Sequence, residues 1–487
     1  MTIPAPIIAD TITTVPLKGI EKLLVGSTTA CCIIAHVVAV RTSDVQALVA
    51  AASSAWRAVL LRHPRMRGRI SKTNAAEVVI AATVSEEEAA AQVLVSTAAS
   101  PTEWQEIIQR HCAAVLPANR TTDYPFSLHL LLPSPDDDQQ KVRIIVYSDH
   151  YASDGFSGLR VVHDFLSAAV APETHQTVKS LPLLPPGIEL YFRKTMRSSF
   201  SLPVWLIYKL FTLMSKSKCV FPLPPPSASG DTDKRFVGNA QFATGTEENL
   251  AANLAACKSN GTSLNAAFLA AMAAAFSRVP GAVVPPKRAG AASRVKYSVD
   301  YDMNIRSRVV PPLGGDHVGA YIAMTGIQQY ASGMPLDTPF WTHARDVKKT
   351  TDKGFASYET GIRLRLFDSY FSKEPENLST TPGADIIGDI NFSNMGRYPF
   401  QTTHTLPNGG GSIEIDSVHY YNSHTGMGPA AIIFCSSVRA TSYVMNTRVD
   451  AAASQRFFQD IVKLFEAVGT VAENETIGQF AARVLGE

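Results

Sequence analysis

The sequence predicts an α+β protein of two similar domains, each a mixed β-sheet flanked by helices. Three observations carry this. At 487 residues the chain is too long for one ordinary hydrophobic core. Strand-like and helix-like apolar patterns occur in both halves without strict βαβ alternation, which favours mixed sheets. Between the halves, residues 181–233 are rich in proline and poorly suited to regular structure. The expected division is a domain over 1–180, a crossover over 181–235 and a second domain over 236–487.

Composition narrows the classes. Hydrophobic residues make up 46% and charged residues 18% of the chain, as in a globular protein with ample core material. The 44 Lys and Arg against 42 Asp and Glu leave a net charge of +2, and no basic run is interleaved with aromatics. Nucleic acid is therefore not an expected partner. Cys31, Cys32, Cys112, Cys219, Cys257 and Cys435 form no C-x-x-C pair, and no His/Cys set has zinc-ligand spacing. No metal is implied. The opening MTIPAPIIADTITTVPLKGIEKLL lacks a basic segment followed by an apolar core. The cysteines thus read as free thiols in a reducing, cytoplasmic compartment.

The first half begins with an apolar run over 30–40, about half the length of a spanning helix and containing His36; it reads as a buried strand. Ser43-Asp44 caps a helix to about Arg62, with Val45, Leu48, Val49, Ala52, Trp56, Val59 and Leu60 on one face. His63-Pro64 ends it, so His63 is a helix-end residue rather than a catalytic one. Short strands are expected near 67–70 and 77–83. Ser100-Pro101-Thr102-Glu103 has the form of a capping box opening a helix to about Leu116. Residues 126–132 and 142–148, joined by PSPDDDQQ, read as a hairpin.

In the crossover, LPLLPPGIELYF and VFPLPPPSASGDTD bracket SLPVWLIYKLFTLM, residues 201–214. That apolar stretch is either a docked helix or an interfacial membrane anchor. The second half opens with a strand in RFVGNAQF. A helix from about Thr246 to Ser259 is stopped by Asn260-Gly261, and Thr262-Ser263 caps the alanine-rich LNAAFLAAMAAAF. YSVDYDMNIRSRVVPPLGGDHVGAYIAM reads as strand, loop, strand. Thr338-Pro339 opens another helix, and residues 384–392 form a strand leading into Ser393-Asn394-Met395-Gly396. Strands near 412–421, 430–437 and 441–447 precede an amphipathic helix over about 452–468.

The chemistry is expected in residues 141–158, KVRIIVYSDHYASDGFSG. A β-branched strand leaves its apolar register to present Asp149, His150, Ser153, Asp154 and Gly155, and a helical pattern follows through Phe156, Leu159, Val162, Phe165 and Leu166. A histidine at the end of a buried strand beside a tight turn reads as a rigidly held base, set against a satisfied polar residue that merely closes the strand. Neither Ser153 nor Ser157 has the G-x-S-x-G context of an activated nucleophile.

His150-x-x-x-Asp154-Gly155 after an apolar strand resembles the signature of the CoA-dependent acyltransferase superfamily. That group includes chloramphenicol acetyltransferase, carnitine acyltransferases, plant BAHD enzymes, peptide-synthetase condensation domains and fungal alcohol acetyltransferases. DGFSGLRVVHDFL resembles the alcohol acetyltransferase version, with His163 as its helix histidine. LRHPRMRGRI, LPPGIE and NIRSRVVPPLGGDHVGAYI resemble the early His-Pro segment, the crossover and the Arg-rich strand of the same proteins. FSNMG stands where the plant enzymes carry Asp-Phe-Gly-Trp-Gly and departs from it. The resemblance is therefore to the alcohol acetyltransferase branch, or to the related mycobacterial lipid acyltransferases.

The resemblance implies two chloramphenicol acetyltransferase-like domains with an interdomain channel and His150 at its midpoint. Acyl-CoA, acetyl-CoA in particular, would be a co-substrate rather than a bound cofactor, and the acceptor a hydroxyl-bearing small molecule or lipid. His150 would be the general base. Asp154 would pair with an arginine of the second domain, Arg306 first and Arg308 in reserve, and Gly155 would allow the tight path into the helix. Asn394 or Ser393 is the candidate donor to the oxyanion, set against a purely structural turn. His163 is a packed residue; His404, His419 and His424 receive no role. The chain has no phosphate-binding glycine loop, and its CoA contacts are not assigned. A monomer is expected, with peripheral membrane contact through 201–214 as the anchor reading. Two further readings of the same fold are an acyltransferase served by a carrier-protein-bound donor and a catalytically silent scaffold.

Overall fold

The computed structural model describes residues 12–25, 32–74, 76–113, 124–171, 178–187, 189, 206, 219–222, 239–286, 288–328, 333–354, 386–406, 411–423 and 428–486. The first half runs β1 (Thr13–Pro16), α1 (Ile20–Val25), β2 (Ile33–Thr42), α2 (Val45–Arg62), β3 (Gly68–Ile70), β4 (Glu77–Ile80), α3 (Glu86–Ala90), β5 (Val93–Thr97), α4 (Glu103–Ala113), β6 (Phe126–Leu132), β7 (Val142–Asp149) and α5 (Gly155–Ala169). The second runs β8 (Asn239–Thr244), α6 (Glu247–Ser259), α7 (Leu264–Phe276), β9 (Val283–Val284), β10 (Arg294–Val295), β11 (Ser298–Asn304), β12 (Ile322–Gln328), β13 (Met334–Pro335) and α8 (Phe340–Gly354). It closes with β14 (Ile386–Arg397), β15 (Thr403–Thr405), β16 (Ser412–Asn422), β17 (Gly428–Ser437), β18 (Thr441–Thr447), α9 (Ala451–Glu466) and α10 (Ile477–Leu485).

Two six-stranded mixed sheets organise these elements, in the orders β15-β16-β2-β7-β6-β5 and β12-β11-β14-β17-β18-β8. In the first, only β5 and β6 pair in parallel; in the second, β14 pairs in parallel with both β11 and β17. β15 and β16 lie in the C-terminal half of the chain, yet β16 pairs along its length with β2, from Ile413 opposite Thr42 to Asn422 opposite Ile34. Each sheet backs onto its own hydrophobic core, and Ile432, Phe434 and Val444 of the second sheet extend into the first core. This is the α+β architecture of two mixed, helix-flanked sheets that the sequence predicts.

The local signals explain most boundaries. Asp44 caps α2 by accepting from Ala47 N at 2.8 Å, and His63 closes it in an extended conformation. Gly261 takes the left-handed conformation (φ 63°) that ends α6. α7 is buried throughout from Ala266 to Phe276, its alanines allowing close packing against α8, α9 and α10. Two boundaries differ from expectation. Glu103 is the first residue of α4, and its carboxylate accepts from Ala99 N instead of closing the expected box. Ser393-Asn394-Met395-Gly396 is no turn after a strand: β14 continues through it to Arg397, because β17 pairs alongside, with Ser393 opposite Phe434 and Asn394 opposite Cys435. Among the described residues no helix is long and apolar enough to cross a membrane. The apolar stretch 201–214, Leu206 apart, lies outside the described residues.

Candidate active site

β7 delivers His150 one residue past its last ladder position. There the His150 N–H donates to the Cys32 carbonyl at 2.8 Å, just before β2 begins. The ring Nδ1 lies 2.8 Å from the Ser153 carbonyl oxygen. A carbonyl can only accept, so Nδ1 carries the proton and Nε2 is left as the basic nitrogen. His150 is 8% exposed. Burial lowers its pKa, while the Ser153 contact and the Asp154 charge pull the other way. The ring is a neutral imidazole at pH 7.

Asp154 has a different task. It is the N-cap of α5, accepting from Ser157 N at 2.8 Å, and it points into the protein with no exposed surface. Arg306, two residues beyond β11, meets it with both terminal nitrogens, at 2.8 and 3.1 Å. Tyr321 N adds a third donor at 2.8 Å. Burial raises the carboxyl's pKa, but the Arg306 charge and these hydrogen bonds more than offset it, and Asp154 stays below the ordinary carboxylate range. Arg306 also donates to Ser157 Oγ at 2.7 Å, and its guanidinium lies 4.9 Å from the Phe156 ring centre and 4.8 Å from that of Tyr321. A fully buried bidentate pair therefore ties the turn after β7 to the segment after β11. Arg306 is the partner of Asp154.

Space is the constraint at the two glycines of this helix start. Gly155 is not in the left-handed region; a Cβ there would sit 2.6 Å from Met395 Sδ of β14. At Gly158 a Cβ would fall 2.0 Å from the His36 ring. His36 Nε2 donates to the Gly155 carbonyl at 2.9 Å, fastening β2 to the first turn of α5, and burial lowers its pKa to about 4. Sequence reasoning missed this support, although a histidine inside an apolar strand run was the signal that could have raised it.

These elements enclose a cavity of ≈130 Å³ reached by His150, Asp302 and Asn304 of β11, Ser393 and Asn394 of β14, and Asn422 of β16. Asn394 Oδ1 accepts from Gly396 N at 2.8 Å, which leaves Nδ2 as its donor. Ser393 hydrogen-bonds the Asp302 carboxylate, as does Asn391 Nδ2 at 3.0 Å.

Among the described residues, the serines of the motif and several other histidines are engaged or buried elsewhere. Ser153 Oγ donates to the Asp154 carbonyl at 3.3 Å, and Ser157 Oγ to the Gly319 carbonyl at 2.8 Å. Burial pushes the Cys32 thiol up to about 12. His63 Nε2 contacts Asp164 at 2.7 Å beyond the end of α2, and His163 stacks on Phe400 with ring centres 4.8 Å apart. His404 and His419 are buried, and His424 lies outside the described residues.

Comparison with known proteins bears on the fold. The sequence matches no protein-family model and no curated protein. The structure is similar to that of the trichothecene 15-O-acetyltransferase from Fusarium sporotrichioides, with a TM-score of 0.71 at 14% identity over 95% of this chain and 96% of the other. It is also similar to the condensation domain of the monacolin K polyketide synthase (TM-score 0.63, 12% identity, 96% and 100% covered). A third is polyketide synthase associated protein 5 from Mycobacterium tuberculosis (0.57, 14%, 90% and 94%). The chain therefore has the two-domain chloramphenicol acetyltransferase-like fold.

Proposed function

We propose that this protein is an O-acyltransferase that moves an acyl group, acetyl in the first instance, from an acyl-CoA thioester to a hydroxyl of an alcohol, lipid or secondary metabolite. The observation that carries this reading is His150: a neutral imidazole with Nδ1 committed to a backbone carbonyl, lining a cavity between two sheets. In a ternary complex, Nε2 takes the proton of the acceptor hydroxyl as its oxygen attacks the thioester carbonyl carbon. The tetrahedral intermediate collapses with cleavage of the C–S bond. The imidazolium then returns its proton to the departing thiolate, giving ester and free CoA thiol. No acyl-enzyme is required, in keeping with the occupied hydroxyls of Ser153 and Ser157.

Asn394 Nδ2 is the donor assigned to the oxyanion, because Ser393 is engaged by Asp302. Asp154, Gly155 and Arg306 hold the base in place. In this reading 1–180 and 236–487 are the two acyltransferase domains, acting as a monomer. The O-acetyltransferase named among the similar structures supports the hydroxyl acceptor.

The test is incubation with acetyl-CoA and a panel of alcohols, following free thiol and the ester by mass spectrometry. Thiol release that depends on the alcohol is expected. Transfer only from an acyl group carried on a phosphopantetheinyl carrier domain, with indifference to CoA esters, would replace the donor. No transfer from either would leave a binding scaffold.

A further inference from the structure

The polar lining of the reaction cavity is unevenly matched. Asp302 is half-buried in its wall. A carboxylate offers about four lone-pair sites, and among the described residues the donors that reach Asp302 are Asn391 Nδ2 and Ser393. Among the described residues no Lys, Arg or His pairs with it. Burial, with a smaller contribution from the charge of Asp300, pushes its carboxyl up to about 6, so it is mostly ionised at pH 7 yet poorly compensated. Arg306, the one Lys or Arg among the described lining residues, is paired through its terminal nitrogens with Asp154. In the same lining, Asn422 Oδ1 is buried with no hydrogen-bond partner among the described residues. His150 adds a third acceptor at Nε2.

The unused lone pairs of Asp302 and the unpartnered Asn422 oxygen are suited to a ligand that brings its own donors. A simple alkanol brings one hydrogen, which His150 takes. We infer that the acceptor substrate carries, beside its reacting hydroxyl, at least one further hydrogen-bond donor, a second hydroxyl or an ammonium group, which Asp302 and Asn422 receive. This rests on the acyltransferase reading and names the acceptor class for it. A ligand lacking the second donor would leave the Asp302 carboxylate and the Asn422 oxygen desolvated and unpaired. The same carboxylate disfavours an anionic acceptor.

Calorimetric binding without any acyl donor tests this independently of turnover. The probes share one skeleton: cyclohexanol, trans-cyclohexane-1,2-diol and trans-2-aminocyclohexanol. The diol and the amino alcohol are expected to bind about ten- to a hundredfold tighter than cyclohexanol, the range of a hydrogen bond to a charged group. D302N should erase most of the amino alcohol's advantage, and N422L should weaken both bifunctional probes. If D302N fails to fold, the wild-type comparison and N422L decide. Equal affinity for all three, or no measurable binding, overturns the inference. So does a preference that survives both substitutions. Loss of S-acetyl-N-acetylcysteamine binding in D302N, with diol binding intact, would assign Asp302 to the donor arm and also overturn it. A preference that persists while no alcohol is acylated would sink the acyltransferase reading and leave the binding inference standing.

Discussion

His150 and Asp154 are four residues apart and have opposite electrostatic fates. Burial disfavours the imidazolium and keeps His150 neutral, whereas Arg306 and the backbone hydrogen bonds from Ser157 and Tyr321 keep Asp154 ionised against the same burial. Two outcomes follow at this scale. A base whose pKa lies below 6.5 is already deprotonated at neutral pH, so kcat/KM should fall with acid only below the ordinary histidine range. A pH-rate profile with an acid limb at or above 6.5 would contradict this. Removing one partner of the Asp154–Arg306 pair leaves a buried charge unpaired, and Asp154→Ala or Arg306→Ala should each cost about 3–5 kcal/mol in denaturant unfolding. The double variant should cost clearly less than the sum of the two. Additive losses would mean that the two residues act separately.

At the scale of elements, the base is held by a strand, a turn and a helix whose start is pressed against two neighbours. Gly158→Ala places a methyl carbon 2.0 Å from the His36 ring of β2, and neither the helix backbone nor a buried strand can yield. It should lower the melting temperature by several degrees, and His36→Ala should recover part of that loss in the double variant. Gly155→Ala meets the thioether of Met395, the far end of a flexible side chain, and should cost less. A Gly158→Ala protein as stable as the parent would show that α5 does not sit on β2 in this way. These contacts also mark how far the sequence could be read. Strand, Asp-Gly and helix are local patterns, so β7 and α5 were legible in it, whereas the N-cap role of Asp154 was not read from it. His36 lies 119 residues from Gly155, and no local period shows which glycine its ring covers. The continuation of β14 through Ser393 and Asn394 was hidden for the same reason: it depends on β17 pairing alongside.

At the scale of the whole molecule, the two sheets are mixed, as the absence of strict βαβ alternation implied. The return of β15 and β16 to the first sheet was not legible, because nothing local to 403–422 distinguishes pairing with β2 from pairing with β18. The buried histidines give the molecule a collective property. Burial lowers His36, His343, His404 and His419 to about 4, against 6.5 in the unfolded chain. As pH falls below 6.5 the unfolded chain takes up protons that the folded chain does not, and stability falls with it. Glu21 and Asp302, raised to about 6 by burial, act in the opposite sense below that pH and offset part of the loss. The unfolding free energy should therefore drop from pH 7 to pH 5, each histidine contributing at most about 1.4 kcal/mol per pH unit within its window. A free energy that is flat or rises over that interval would contradict the neutral burial of these rings.

The most direct test of the central claim is alcohol-dependent thiol release from acetyl-CoA by the His150→Ala protein, measured beside its melting curve. With His150 as the general base, release should fall about 10²–10⁴-fold while the fold and its melting transition are retained, because Asp154 and Arg306 are untouched. Release at the parent rate by a folded His150→Ala protein would contradict the mechanism.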